Sequence, residues 1–150
     1  MPSNDELFGG DNFIDIELSY SVQKNKSGAA HVTILDDTEA AKLKADEKTK
    51  DSVKTLRTKW IQQTWQAAND LLKRATVFNF QTNQSDIDWT AYRHARLVSC
   101  LVDWDAKDKD GVNIPCTEVA INKLHANVAV ALLEKYDKAT SMDAEEKEKN

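Results

Sequence analysis

Val53–Ala75, VKTLRTKWIQQTWQAANDLLKRA, is the stretch on which the fold turns. Its apolar positions are Val53, Leu56, Trp60, Thr64, Ala67/Ala68, Leu71 and Ala75. Steps of three and four residues place them on one side of a helix, so the spacing predicts a single long helix ending near Arg74. No Gly or Pro interrupts the chain between Asp36 and Gly111. With that helix in place, the protein reads as mainly α with a minor β part (α+β). The expected architecture is an N-terminal β-hairpin packed on a three- to four-helix bundle.

Upstream, Phe13–Ser21 (FIDIELSYS) alternates, with Ile14, Ile16, Leu18 and Tyr20 on one face. That is the period-two pattern of a strand. His31–Leu35 (HVTIL) is a second β-prone run, and Lys24–Gly28 between them is turn-like, so the two predict a hairpin. Two strands are marginal alone, and the apolar face must pack on a helix or another subunit. Asp36 then opens a helix, with Glu39 placed to complete a capping box. Ala40–Lys50 carries only Leu43 as a large apolar residue and is either an exposed helical extension or a frayed end.

Downstream, Val77–Phe80 begins a connection, and Asp86 or Asp88 caps the next helix. That helix carries Ile87, Trp89, Ala91, Tyr92, Ala95, Val98, Leu101 and Val102, widened by Leu97 and Cys100, and is apolar enough to be the bundle's central element. Thr117 caps a helix with Val119, Ala120, Ile121 and Leu124. After a break at His125–Asn127, with Asn127 as a fresh cap, Val128, Ala129, Ala131, Leu132, Leu133 and Tyr136 supply the last apolar face. The expected organisation is a mobile arm over residues 1–12, one domain over 13–138 and a charged flexible tail over 139–150. The tail is too polar to bury a face.

The chain's 150 residues suffice for one modest core, and 41% hydrophobic with 30% charged residues is the balance of a globular domain. A net charge of −5 argues against nucleic acid as the partner, since phosphate binding needs a basic face. No apolar run approaches the roughly 18 to 20 residues needed to span a bilayer, and the acidic N-terminus lacks the pattern of a secretory signal. The expectation is a protein without a membrane partner, working in the cytoplasm. Cys100 and Cys116 do not make a disulfide scaffold, and both are expected to stay reduced.

The chemistry-bearing residues reduce to ordinary roles. Asp103, Asp105, Asp108, Asp110 and Gly111 invite a calcium-loop reading. With Gly111 at position 6 of an EF-hand loop, however, position 1 is Ala106 and position 12 is Thr117. Both strong carboxylate ligands are then missing. A solvated turn explains these residues better. Cys100, Cys116, His94 and His125 fit no zinc spacing. The chain has no nucleophile elbow and no Gly-rich phosphate loop. No catalytic, cofactor-binding or metal-binding residue is assigned, and no enzyme is expected.

Surface chemistry is more informative. The tract Lys42, Lys44, Lys48, Lys50, Lys54, Arg57 and Lys59 is interleaved with acids that can pair with it along a helix, so it reads first as a solvated face and second as a site for an acidic partner. Trp60 and Trp65 lie about 140° apart on a helix, so one of them is expected to be exposed as an anchor for a partner.

Leu101–Leu124 (LVDWDAKDKDGVNIPCTEVAINKL) carries a family resemblance. Asp103-Trp104 ends an apolar run. The turn Asp108-Lys109-Asp110-Gly111 follows, then Ile114-Pro115-Cys116-Thr117, short helices and the charged end Glu145–Asn150. This layout resembles the tail assembly chaperones of long-tailed, siphovirus-type bacteriophages, over roughly the last 65 residues. The resemblance implies a non-catalytic protein that binds the tape measure protein and keeps it soluble for tail-tube polymerisation. It also implies the major tail tube protein, a frameshift-extended form of the chain itself and a homo-oligomer as further associations. Lys149-Asn150 is compatible with a slippery codon pair. Such a chaperone would act in the host cytoplasm and be absent from the mature virion. The expected contacts, taken from apolar patterning alone, are Ile14, Ile16, Leu18, Trp60, Trp65, Val128, Leu132 and Tyr136. The alternative is a virion structural component, for tail completion or head–tail connection. A small metal-dependent enzyme built on the acidic turn is a third reading, opposed by the failed ligand spacing.

Overall fold

The computed structural model describes residues 3–7, 9 and 12–141. It is an α+β protein built around an antiparallel sheet, not a helical bundle with a hairpin attached. Strands β1 (Phe13–Lys24) and β2 (Ala30–Leu35) form the expected hairpin. Helix α1 (Asp37–Ala45) begins where the capping residue requires, with Asp36 Oδ1 accepting from Glu39 N at 2.7 Å.

The decisive correction lies in Lys54–Ile61, which is strand β3 and not the first half of a long helix. It pairs antiparallel with β1, setting Leu18 opposite Leu56, Ile16 opposite Thr58 and Ile14 opposite Trp60. Leu56 and Trp60, which suggest a helical stripe, also line one face of a strand, with Thr58 between them on the same face. Pairing relieves the marginal stability of the β1–β2 hairpin by adding a third strand.

The helix that follows is short. Thr64 accepts from Ala67 N and starts α2 (Trp65–Arg74). Strands β4 (Thr76–Asn79) and β5 (Gln84–Ile87) then form a separate two-stranded hairpin in place of the expected connection, and it takes Ile87 from the next helix. Asp88 caps α3 (Trp89–Cys100). The chain turns directly into β6 (Leu101–Trp104), the fourth strand of the main sheet, whose order is β2-β1-β3-β6. The sequence-based helix had run on through Leu101 and Val102. Instead a bulge in the β3–β6 ladder places Leu101 opposite Trp60 and Trp104 opposite Thr58. Both therefore face the core although they stand three residues apart, a spacing that imitates a helix.

Helix α4 (Glu118–Asn122) is capped by Thr117 as expected, and α5 (Ala126–Thr140) starts after His125, whose side chain makes no capping bond. Asn127, expected as the cap, instead donates its side-chain amide to Val32 O and ties α5 to the sheet edge. One cluster unites the inner sheet face (Ile16, Leu18, Val32, Leu56, Trp60, Leu101) with α3 (Leu97, Cys100), α4 (Ile121) and α5 (Val128, Leu132, Leu133, Tyr136). The helices thus form a layer on the sheet, and α5 is their main contribution.

Of the expected N-terminal arm, Asp5–Leu7 is a 3-10 turn. Gly9 lies so close to the β3–α2 connection that an added Cβ would stand 2.9 Å from Gln63 O. Residues 1, 2, 8, 10 and 11 lie outside the described residues, as do residues 142–150, most of the expected tail. Helix α5 occupies positions 139 and 140, which had been assigned to that tail. No helix among the described residues is long and apolar enough to cross a membrane.

Candidate protein-binding surface

The core places most of the expected contact residues beyond the reach of a partner. Ile16, Leu18, Trp60, Val128, Leu132 and Tyr136 are all buried, and Ile14 is partly buried and packed against them. Trp65, at the first turn of α2, remains 84% exposed. The Trp60/Trp65 pair does divide into one inside and one outside, but by a strand-to-helix change between them and not by rotation around one helix.

Sequence reading passed over the surface that the structure displays most openly. Every residue of β4 and β5 is exposed except Ile87, which is half-buried. Val77 is 54%, Phe78 43% and Phe80 88% exposed. Phe78 and Phe80 meet edge to face, with ring centroids 4.9 Å apart. At the hairpin's base Asp88 N donates to Ala75 O at 2.8 Å, and Trp89 begins α3 with 60% of its surface open. Asn79 Oδ1 accepts from Gln81 N, and Asn83 adopts a left-handed conformation (φ 56°) that Asn tolerates well, so the turn is locally specified. The available signal was Val77-x-x-Phe80 beside Asn79 and Asn83, an apolar run bounded by turn residues.

The outer face of the main sheet is charged instead. Asp15 stands opposite Lys59, which stands opposite Asp103, and Glu17 stands opposite Arg57. The Glu17–Arg57 pair is 3.2 Å apart, and Lys59 lies 5.6 Å from the centre of the Phe13 ring. The last two residues of the expected basic helical face, Arg57 and Lys59, thus belong to a cross-strand charge ladder. Only its first part, Lys42 and Lys44, is helical in α1.

The acidic turn is organised by its own backbone. Asp108 Oδ1 accepts from Asp110 N and Val112 N, and Ile114 N donates to Ala106 O. Trp104 closes the loop by donating its indole N–H to Ile114 O at 2.6 Å. The Asp103-Trp104 segment and the Ile114-Pro115 segment therefore meet, and Trp104 has a structural role at a strand end. Among the described residues, no group of three or more His, Cys, Asp or Glu side chains could hold a metal ion. His94 meets Asn122 across α3 and α4 at 2.6 Å.

Both thiols are shielded. Burial pushes the Cys100 thiol up, outweighing the lowering effects of Tyr136 and Arg96. Burial, helped by the charge of Asp103, pushes Cys116 up to about 11. Neither thiol is the activated thiolate that nucleophilic chemistry needs.

The fold and surface define an α+β domain with a fully formed core and a separate exposed aromatic hairpin. No family model, curated protein or solved structure matches the chain.

Proposed function

We propose that the protein is a non-catalytic tail assembly chaperone of a long-tailed bacteriophage. It binds the tape measure protein in the host cytoplasm and keeps it soluble until tail-tube subunits polymerise around it. The observation that carries this reading is the exposure of Trp65, Phe80 and Trp89, at 84%, 88% and 60%, on a chain that packs Trp60 and Tyr136 fully into its core. Aromatic side chains left open on a protein with an adequate core mark contact surfaces, because their burial contributes more per residue than that of other side chains. A long helical client exposes apolar stripes that such a surface can shield. The layout from Trp104 to Thr117 supports the same reading, and the loop closed by Trp104 and Ile114 gives that layout a structural purpose. The major tail tube protein and a frameshift-extended form of the chain are the further partners this reading entails.

Co-expression with the tape measure protein tests it, using solubility, co-purification and the composition of finished particles. The chaperone reading requires that the client stay soluble and co-purify, and that this chain be missing from mature virions. A chain that leaves the client insoluble and persists in the particle is instead a structural component of the virion.

A further inference from the structure

The β4–β5 hairpin has a composition unlike the rest of the surface. In a chain with 30% charged residues, Thr76–Ser85 (TVFNFQTNQS) contains none. At its base Lys73 and Arg74 are offset by Asp86 and Asp88, so the hairpin has no net field at either end. Depletion of charge around exposed aromatic rings is the composition of the centre of a protein interface. A neutral surface of this kind does not attract phosphate, an anionic membrane or a strongly charged peptide, all of which are recognised through Lys and Arg. It is complementary to an occupant that is itself apolar and uncharged.

Size narrows the occupant further. Phe78 and Phe80, in ring contact on one side of the ribbon, are 43% and 88% exposed, whereas Val77, next to Phe78 in the strand, points to the opposite face. With 150–250 Å² per aromatic side chain, the pair offers roughly 250 Å², about a third of what each partner contributes to a stable complex. That is too little to hold two copies of this chain together permanently, and it suits the narrow apolar stripe of one amphipathic helix. The ribbon's edges add little, because strands of four residues present few free backbone groups.

From this we propose that the β4–β5 hairpin is the capture element, and that its occupant is the uncharged apolar stripe of a helix, bound reversibly against Phe78 and Phe80. The proposal rests on the chaperone reading for the identity of the client and adds where and by what chemistry the client is held. Reversibility follows from the small area: the client must be released when tube subunits replace the chaperone, and a few aromatic anchors permit that.

The test compares the full chain with F78S/F80S and with Val119→Ser, an exposed apolar residue on α4, as control. The probes are the tape measure protein and a labelled helical peptide whose apolar stripe is Leu and Ala. The double variant should melt like the parent, as its side chains are exposed, and should bind both probes at least about tenfold more weakly. Val119→Ser should bind as the parent does. Hydrogen exchange on the unaltered chain is a second readout that needs no substitution, and the peptide should protect residues 76–87. Undiminished binding by F78S/F80S, with no protection of the hairpin, overturns the capture proposal, and if the client still stays soluble the chaperone reading survives it. A parent chain that binds neither probe overturns both. Binding of anionic vesicles through the hairpin, or a dimer of this chain abolished by F78S/F80S, assigns the hairpin to another occupant and also overturns the proposal.

Discussion

Tyr136 of α5 stacks on Trp60 of β3, with ring centroids 4.8 Å apart and planes inclined by 22°. The contact joins the helical layer to the central strand. On the Tyr136 ring's other contact, the Arg96 guanidinium carbon stands 5.1 Å from the centroid, and Arg96 pairs with Asp137 at 2.5 Å. The Tyr136 hydroxyl donates to Ile61 O at 2.9 Å.

Truncating Trp60 removes a fully buried aromatic side chain at this junction, so Trp60→Ala should cost about 3–5 kcal/mol in urea unfolding. Tyr136→Phe retains the stack and loses one hydrogen bond, for a cost of about 1 kcal/mol. Equal costs for the two variants would mean that the hydroxyl, not the stacked ring, dominates the junction.

Thr58 is the buried polar residue of the sheet's inner face. It donates to Ile16 O at 2.8 Å and accepts from Trp60 Nε1 at 2.7 Å. Thr58→Val keeps the shape but leaves the indole N–H without an acceptor, and should destabilise the protein by about 1–3 kcal/mol. Thr58→Ser keeps the hydroxyl and should recover most of that loss.

Cys116 gives a pH signature. Its thiol ionises near 9 when unfolded and is pushed up to about 11 in the fold, first by burial and then by Asp103. The folded state therefore holds its proton more tightly. The stabilising contribution is complete below pH 9 and is lost as pH rises through about 11. Iodoacetamide labelling of Cys116 should keep accelerating up to that pH, and a plateau near pH 9 would show the thiol to be solvated. Cys116→Ser should flatten the alkaline stability loss over the same window.

Gly111 adopts φ +79° in open space, so a substituent meets no atom but strains the backbone. Gly111→Ala should cost about 1–2 kcal/mol and raise amide exchange between residues 106 and 114 while leaving the sheet unchanged. Unchanged stability would show that the turn relaxes freely.

The tryptophans should separate by quenching. Trp60 has no exposed surface and Trp65 is 84% exposed. Acrylamide should quench a Trp65-only variant several-fold more efficiently than a Trp60-only variant, and similar quenching of the two would contradict the strand-to-helix change between them.

Much of the local structure was legible. The β1 alternation, the caps at Asp36, Thr117 and one of the two offered aspartates, and the two C-terminal helices all follow from contacts within a few residues. The candidate surface was less so. Apolar patterning selects residues that bury well, so Ile16, Leu18, Trp60, Leu132 and Tyr136 were drawn to the core, and the exposed rings of Phe78 and Phe80 had no periodicity to announce them.

By itself, the sequence determined the hairpin, the helix starts and the identity of the apolar residues, because each depends on neighbouring side chains and backbone groups. Only the tertiary structure decided that Lys54–Ile61 and Leu101–Trp104 are strands. Leu56 and Trp60, four apart, and Leu101 and Trp104, three apart, satisfy a helical face. They also satisfy a strand face once Thr58 faces inward and a bulge absorbs Val102. Short apolar runs carry both periods, and the choice falls to pairing partners distant in the chain: β1 for β3, and β3 for β6.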